Sequence, residues 1–211
     1  MTVPMTVCRE PFQFKSVLQL RSSNPETRPS LLQMLNSEND QQAWSEFTEI
    51  YSPVIYRYCR KKGLQEADAL EVLQEVLLQV YQYIASFDYD PDRGRFRAWL
   101  QTVTHSRLCR FWKKKADQKE CTGQEETLDQ KEAEQFFGSE VVYQITQLAL
   151  KEIRTGFQPD TWSAFELTWV EQQDVEDVAS SLGRSVGWVY VAKSRVLKKL
   201  TNRITQYINE A

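Results

Sequence analysis

Acidic side chains are missing from two long stretches of a chain whose net charge is −3. Histidine, cysteine, glycine and proline are also scarce, at one, four, seven and seven residues of 211. A single histidine leaves the usual acid–base constellations little to work with, and there is no glycine-rich phosphate loop or nucleophile elbow. The chain is therefore expected to be no enzyme, with no catalytic residue and no cofactor. Cys8, Cys59, Cys109 and Cys121 form no CxxC pair and no regular spacing, which excludes a disulfide framework. Cys59 and Cys109 sit among apolar helical neighbours and read as buried free thiols. No apolar run is long enough to span a bilayer, so no membrane insertion is expected. The opening MTVPMTVCREPFQF has neither the basic start nor the apolar stretch of a signal peptide, so a cytoplasmic location is expected. Few Gly and Pro beside plentiful aromatics favour a folded, helix-rich chain.

The acid-free stretches are rich in bases. Arg93 to Lys115 holds eight Lys/Arg, and Val178 to Asn209 holds six. Both interleave cations with rings: Phe96, Trp99, Phe111 and Trp112 in the first, Trp188 and Tyr190 in the second. Positive charge concentrated this way, in a chain that is acidic as a whole, is the electrostatic footprint of a nucleic-acid binder. Two separated footprints imply two points of contact on one long ligand.

The periodicity is helical throughout, and an all-α fold in two domains is expected. Residues 1–29 carry Pro4, Pro11, Pro25 and Pro29 without periodicity and read as an irregular extension. A first domain spans 30–115. In it Trp44, Phe47, Ile50 and Tyr51 recur at helical spacing, then Val54, Ile55, Tyr58 and Cys59 after Pro53, which is expected to start or kink a helix. Gly63 closes that segment. Residues 66–86 form the clearest helix, with an apolar stripe of Leu70, Leu73, Leu77, Val80 and Ile84 joined by Val72 and Val76. A turn, FDYDPDRG, leads into a basic helix from about Arg95 to Lys115. Residues 116–139 read as an acidic linker, its second half open to helix: from 116 to 140 eight acids face two lysines. Residues 140–211 form the second domain.

The second domain carries the more specific local signal. In VEDVASSLGRSVGWVYVAKSR, Ala179, Gly183 and Val189 occupy the places a helix-turn-helix needs. A small residue lets the helices cross closely, glycine permits the left-handed turn, and an apolar residue packs the second helix onto the first. Val175, Val178, Leu182 and Val186 complete a miniature core. The second helix then presents Trp188, Tyr190, Val191, Ser194 and Arg195, with Lys198 and Lys199 placed to meet phosphates. Val191 and Ala192 stand where polar base readers could be, so thymine-methyl contact and DNA shape gain weight. The bland alternative is a helical hairpin whose basic face is merely solvated.

In the first domain, FRAWLQTVTHSRLCRFWKKK mixes rings with cations. Trp99 shares a face with Phe96 and Val103 and reads as core. Phe111 and Trp112, beside three lysines, fit a core role or a platform for unpaired bases equally. Asp88, Asp90 and Asp92 mimic the start of a calcium loop, but Gly94 comes one place late and Trp99 stands where the bidentate Glu belongs. These carboxylates suit capping and turn formation instead. His105 and Cys109 have the i, i+4 spacing of a metal pair, and Cys59 or Cys121 could approach, yet no second tight pair exists. No metal site is expected.

These residues bring a family into view. DALEVLQEVLLQVYQYIASFDYDPDRGRFRAWLQTVTHSRLCRFWKKK resembles region 2 of the extracytoplasmic-function group of sigma-70-type sigma factors, and FELTWVEQQDVEDVASSLGRSVGWVYVAKSRVLKKL resembles their region 4. The resemblance covers about 31–115 and 140–205, in that order. It implies a subunit that gives RNA polymerase its promoter specificity. Asp68, Glu71, Gln74 and Glu75 would dock on the clamp helices of the core polymerase beta-prime subunit. Thr102, His105, Ser106, Arg107, Arg110 and Lys113, with Phe111 and Trp112 beside them, would bind and melt the −10 element. Tyr190, Val191, Ser194 and Arg195 would read the −35 element, with Arg184 and Ser185 near its backbone and Trp188 and Lys198 alongside, while region 4 touches the beta flap. An anti-sigma partner is also implied. Ser106 stands where the family often has Asn, Arg110 where Asp is common, and Tyr190-Val191-Ala192 where Lys/Arg-Ser-Arg is usual. Two other classes fit the same residues: a two-domain helix-turn-helix regulator that binds duplex DNA without polymerase, and an interaction protein that holds polymerase or a sigma factor.

Overall fold

The computed structural model describes residues 29–36, 41–84, 96–116 and 130–209. The expected N-terminal extension, the FDYDPDRG turn with Asp88, Asp90 and Asp92, the residues 117–129 of the acidic linker, and Cys8 and Cys121 lie outside them. Among the described residues the fold is all-α, with no strand. The helices are α1 (Pro29–Asn36), α2 (Gln41–Lys61), α3 (Glu66–Ile84), α4 (Phe96–Ala116), α5 (Gln130–Arg154), α6 (Pro159–Phe165), α7 (Val175–Leu182) and α8 (Val186–Asn209), with a π-helical turn at Glu166–Val170. The described residues divide into two compact units, one within 29–148 with 204–209 and the other at 149–203. That division falls later than position 140, where the sequence places the start of the second domain.

In the first unit α2 buries Ala43, Phe47, Ile50, Tyr51, Val54, Ile55, Tyr58 and Cys59 along one face. Pro53 lies inside this helix and does not start a new one. It leaves the carbonyl of Glu49 without its amide donor, but Glu49 is exposed and water can serve. The helix ends at Gly63, whose φ of 89° is open to glycine at no steric cost. There the Leu64 N–H bonds the Cys59 carbonyl at 3.2 Å and the Gly63 N–H bonds that of Arg60 at 3.1 Å, a Schellman closure. Burial pushes the Cys59 thiol up to about 12, keeping it inert. Cys109, expected buried, is half-buried.

Helix α3 packs against α1, α2 and α4. Its buried residues are Ala69, Val72, Val76, Val80 and Ile84, so the buried face is turned away from the expected leucine stripe. Leu73 and Leu77 are half-buried, and Leu70 is 43% exposed. The leucines carry more apolar surface, but the valines are smaller and suit the close approach of neighbouring helices. Rings fill the end of the bundle: Phe47 stacks on Tyr51 at 4.8 Å, and Phe96 meets both edge-on at 6.0 Å. The first part of α5 belongs here too. Phe137 packs edge-on against Tyr58 at 5.1 Å, Lys61 lies over Phe136, and Arg57 pairs with Glu140 at 2.7 Å. The second half of the expected linker is therefore helical and covers α2.

In the second unit Ala164, Val178, Ala179, Val189 and Ala192 form a core, with Leu167, Val175, Leu182 and Trp188 against it. Gly183 adopts φ 62°, ψ 36° at the end of α7, and the Arg184 N–H returns to the Ala179 carbonyl at 2.9 Å. The helix-turn-helix thus forms as its spacing predicts. Two assignments within it change. Val186, expected in the core, is exposed at the start of α8. Ala192, which stands where a polar reader could be, is buried at 3% exposure. It falls one helical turn from Val189, on the inward face.

Phe47 is fully buried and Leu78 is 61% exposed. Phe47→Ala should therefore cost about 3–5 kcal/mol of stability, and Leu78→Ala less than about 0.5 kcal/mol, both read from urea unfolding midpoints.

Candidate nucleic-acid interface

Helices α3 and α4 run antiparallel, as their cross-contacts show: Tyr83 stacks on Trp99 at 4.5 Å at one end, and Asp68 meets Lys115 at 2.6 Å at the other. Trp99 is thus only half-buried, covering Tyr83 rather than sitting inside the core as expected. Phe96, Leu100, Val103, Thr104 and Leu108 face inward. The outward strip of α4 carries Ala98, Thr102, Ser106, Arg110 and Lys113, all exposed, with His105 and Cys109 half-buried beside them. These recur every three or four residues, so they line one side of the helix. Thr102 spends its hydroxyl locally, donating to the Ala98 carbonyl at 2.9 Å. The strip runs from small side chains at Ala98, Thr102 and Ser106 to the cations Arg110 and Lys113.

Three of the cations point elsewhere. Arg107 Nε donates to Gln79 Oε1 at 2.7 Å and its other end lies 3.6 Å from Glu75. Lys114 sits 3.9 Å from Glu71, and Lys115 pairs with Asp68. Arg107 was expected on the outward strip but is held on α3. Phe111 and Trp112 are half-buried, and the Lys115 ammonium lies 5.2 Å from the Phe111 ring centre, which favours a packing role for Phe111.

The acid–amide group on α3 is assembled as its helical spacing predicts, with Glu71 and Gln74 exposed and Asp68 and Glu75 partly covered. Beside it the helix shows apolar surface that the sequence reading assigned to the core or passed over: Leu70, Leu78 and Tyr81, the last two 61% and 64% exposed. Together with Gln74 they recur at i, i+4, i+8 and i+11. The absent polar residue at position 78 was the available signal.

His105 Nε2 lies 3.3 Å from Cys109 Sγ, the geometry the i, i+4 spacing predicts. Among the described residues no group of three His, Cys, Asp or Glu could hold a metal. Desolvation lowers the His105 pKa from its ordinary 6.5, and the Lys62 ammonium lowers it further.

On α8, Tyr190 and Val191 are exposed at 56% and 48%, with Ser194, Arg195 and Lys198 exposed alongside. Trp188 is half-buried against the core and so is not a free reader. Ser185 caps the helix, its Oγ accepting from the Trp188 N–H at 3.2 Å. Arg184 pairs with Asp160 at 2.8 Å and lies over the Trp188 ring. Lys199 lies over Phe157, leaving Arg195 and Lys198 as the outward cations of this stretch.

These helices have a known counterpart. Residues 47–118 match the family model of sigma-70 region 2. The matched segment takes in α3, α4 and most of α2, and so every charged contact between α3 and α4 described above. Among solved structures the chain is similar to one in the co-crystal structure of the sigma factor RpoE in complex with the anti-sigma factor NepR from Bartonella quintana. Identity there is 16%, coverage is 77% of this chain and 96% of that one, and the TM-score is 0.31, too low to carry an argument. No curated protein matches the chain at a significant level.

The chain has one histidine, so its imidazole titration can be followed by NMR as a single signal. It should titrate below 6.5. A lowered imidazole pKa means the unfolded chain binds the proton more readily. Stability should therefore not depend on His105 above about pH 6.5, and should fall as the pH drops below it. His105→Gln should remove that acid-side component.

Proposed function

We propose that the chain is a sigma factor, a non-catalytic subunit that directs core RNA polymerase to promoters. The observation that carries this reading is the sigma-70 region 2 match over 47–118, followed in the same chain by a helix-turn-helix. In this reading the exposed Glu71 and Gln74, with Asp68 and Glu75, dock on the beta-prime clamp helices. Leu70, Leu78 and Tyr81 supply the apolar area that such an acidic patch alone lacks. The strip Thr102, His105, Ser106, Arg110 and Lys113 follows the −10 strand, its cations on phosphates and its small polar groups toward bases. Arg107 reaches that strand only after leaving Gln79.

The second unit reads the −35 element through Tyr190, Val191 and Ser194 in the major groove. Arg195 and Lys198 supply phosphate contacts, and Ser185 fixes the start of the reading helix. Two exposed apolar or aromatic readers favour contact with thymine methyls. Placement of the chain in the extracytoplasmic-function group, the beta-flap contact of the second unit, and an anti-sigma protein that competes for the α3 face are parts of the same proposal. Among the described residues no helix is long and apolar enough to cross a membrane.

Co-elution with core polymerase tests the docking face. The wild-type chain should travel with core enzyme, and Gln74→Ala/Glu75→Ala should weaken that association by about tenfold or more, with the unfolding midpoint little changed. Retention of full binding by the double variant would remove Gln74 and Glu75 from the docking face, and no binding by the wild type would point to the stand-alone regulator. In duplex binding, Arg195→Ala and Lys198→Ala should each weaken affinity across sequences and lower the salt slope by about 1.

A further inference from the structure

Charged groups of α3 and α4 are placed against one another along the seam from Asp68 to Gln79. Asp68 meets Lys115, Glu71 meets Lys114, and Glu75 and Gln79 share Arg107. Each carboxylate comes from the face assigned to a protein partner, and each cation from the helix assigned to DNA. These cations stand among the bases that gave the acid-free stretch its footprint. A carboxylate within about 4 Å of an ammonium or guanidinium occupies the position a phosphate would take. Bridging the pair to DNA instead would bring the carboxylate close to the phosphate, where like charges repel.

We propose that the α3 carboxylates act as an internal phosphate mimic, shielding the basic end of α4 from nucleic acid until a partner engages α3. This inference rests on the sigma-factor reading for the identity of the partner and the strand. Asp68, Glu71 and Glu75 then have two successive roles. In the free chain they neutralise Lys115, Lys114 and Arg107. When cationic groups of core polymerase take the carboxylates, the three α4 side chains become available to the promoter strand. Docking and DNA affinity are thereby linked in both directions, since a ligand that favours the open arrangement of one face favours it for the other.

The ladder is suited to this use because it is weak. All of its members are partly exposed, with the side chains of Lys114 and Lys115 at 71% and 52% and those of Glu71 and Asp68 at 50% and 23%. Exposed ion pairs of this kind stabilise a fold little, so exchanging them for intermolecular contacts costs little. Arg110 and Lys113 stay outside the ladder and leave the free chain a residual affinity.

The test is binding of the full-length chain, without polymerase, to a fluorescent mixed-sequence single-stranded 20-mer at low salt. Asp68→Asn/Glu75→Gln removes two mimic charges. Glu49→Gln/Glu134→Gln removes two exposed carboxylates off the ladder and controls for net charge. The ladder variant should bind about threefold to tenfold tighter than the control variant. That gain should vanish when Arg107→Gln and Lys115→Gln are added. Equal tightening by both carboxylate variants would overturn the shielding, as would a gain that survives loss of the two cations. If no form of the chain binds the strand, shielding and the region 2 strand-binding reading both fail. If Lys113→Gln weakens binding while the ladder variant matches its control, the reading stands and the shielding alone falls.

Discussion

Antiparallel packing of α3 on α4 places the ion pairs of Asp68, Glu71 and Glu75, and the rest of that unit is arranged to hold the pair in register. Val72, Val76 and Val80 supply a narrow buried edge. The Tyr83–Trp99 stack closes one end and the Asp68–Lys115 pair the other. Phe47, Tyr51 and Phe96 brace the start of α4 against α2. A one-residue slip between the two helices would separate Arg107 from Gln79 and Lys115 from Asp68 together. Burial energy thus sets the register, and the register sets the electrostatics.

The outward faces of α4 and α8 differ in chemistry. On α4 the outward groups run from the small Ala98, Thr102 and Ser106 to the cations Arg110 and Lys113, the surface that the proposed reading gives to an accessible strand. On α8 the outward groups are a tyrosine and a valine beside two cations, the surface that the same reading gives to a duplex groove. Each unit also holds cations in check. Asp160 engages Arg184 in the second unit, as Asp68 engages Lys115 in the first.

Much of this was legible in the sequence. The all-α class followed from periodicity, and the α7–α8 turn followed from Gly183, the one residue type that takes φ 62° without strain. The carboxylates on α3 were readable because helical spacing alone puts Asp68, Glu71, Gln74 and Glu75 on neighbouring rows. What local pattern does not carry is the partner across the seam. Nothing near Arg107 announces Gln79, which lies 28 residues earlier, so Arg107 was placed on the open strip. Leucine outweighs valine in any hydropathy reading, so the stripe on α3 was centred on the wrong row and Leu70 was counted as core. Ala192 is as small as a surface alanine, and only the position of Val189 on the inward face reveals that it is buried. Helix at the start of α5 is open to the sequence, but its packing is not, because Phe136 and Phe137 find their ring partner, Tyr58, far back along the chain.

The most direct measurement is transcription in vitro from genomic DNA of the source organism by its core polymerase, with and without this chain, with the 5′ ends of the transcripts mapped. The account predicts discrete new starts that appear only with the chain and share −10 and −35 sequences at fixed spacing. No new starts, with the chain alone still binding a symmetric duplex site, would contradict it.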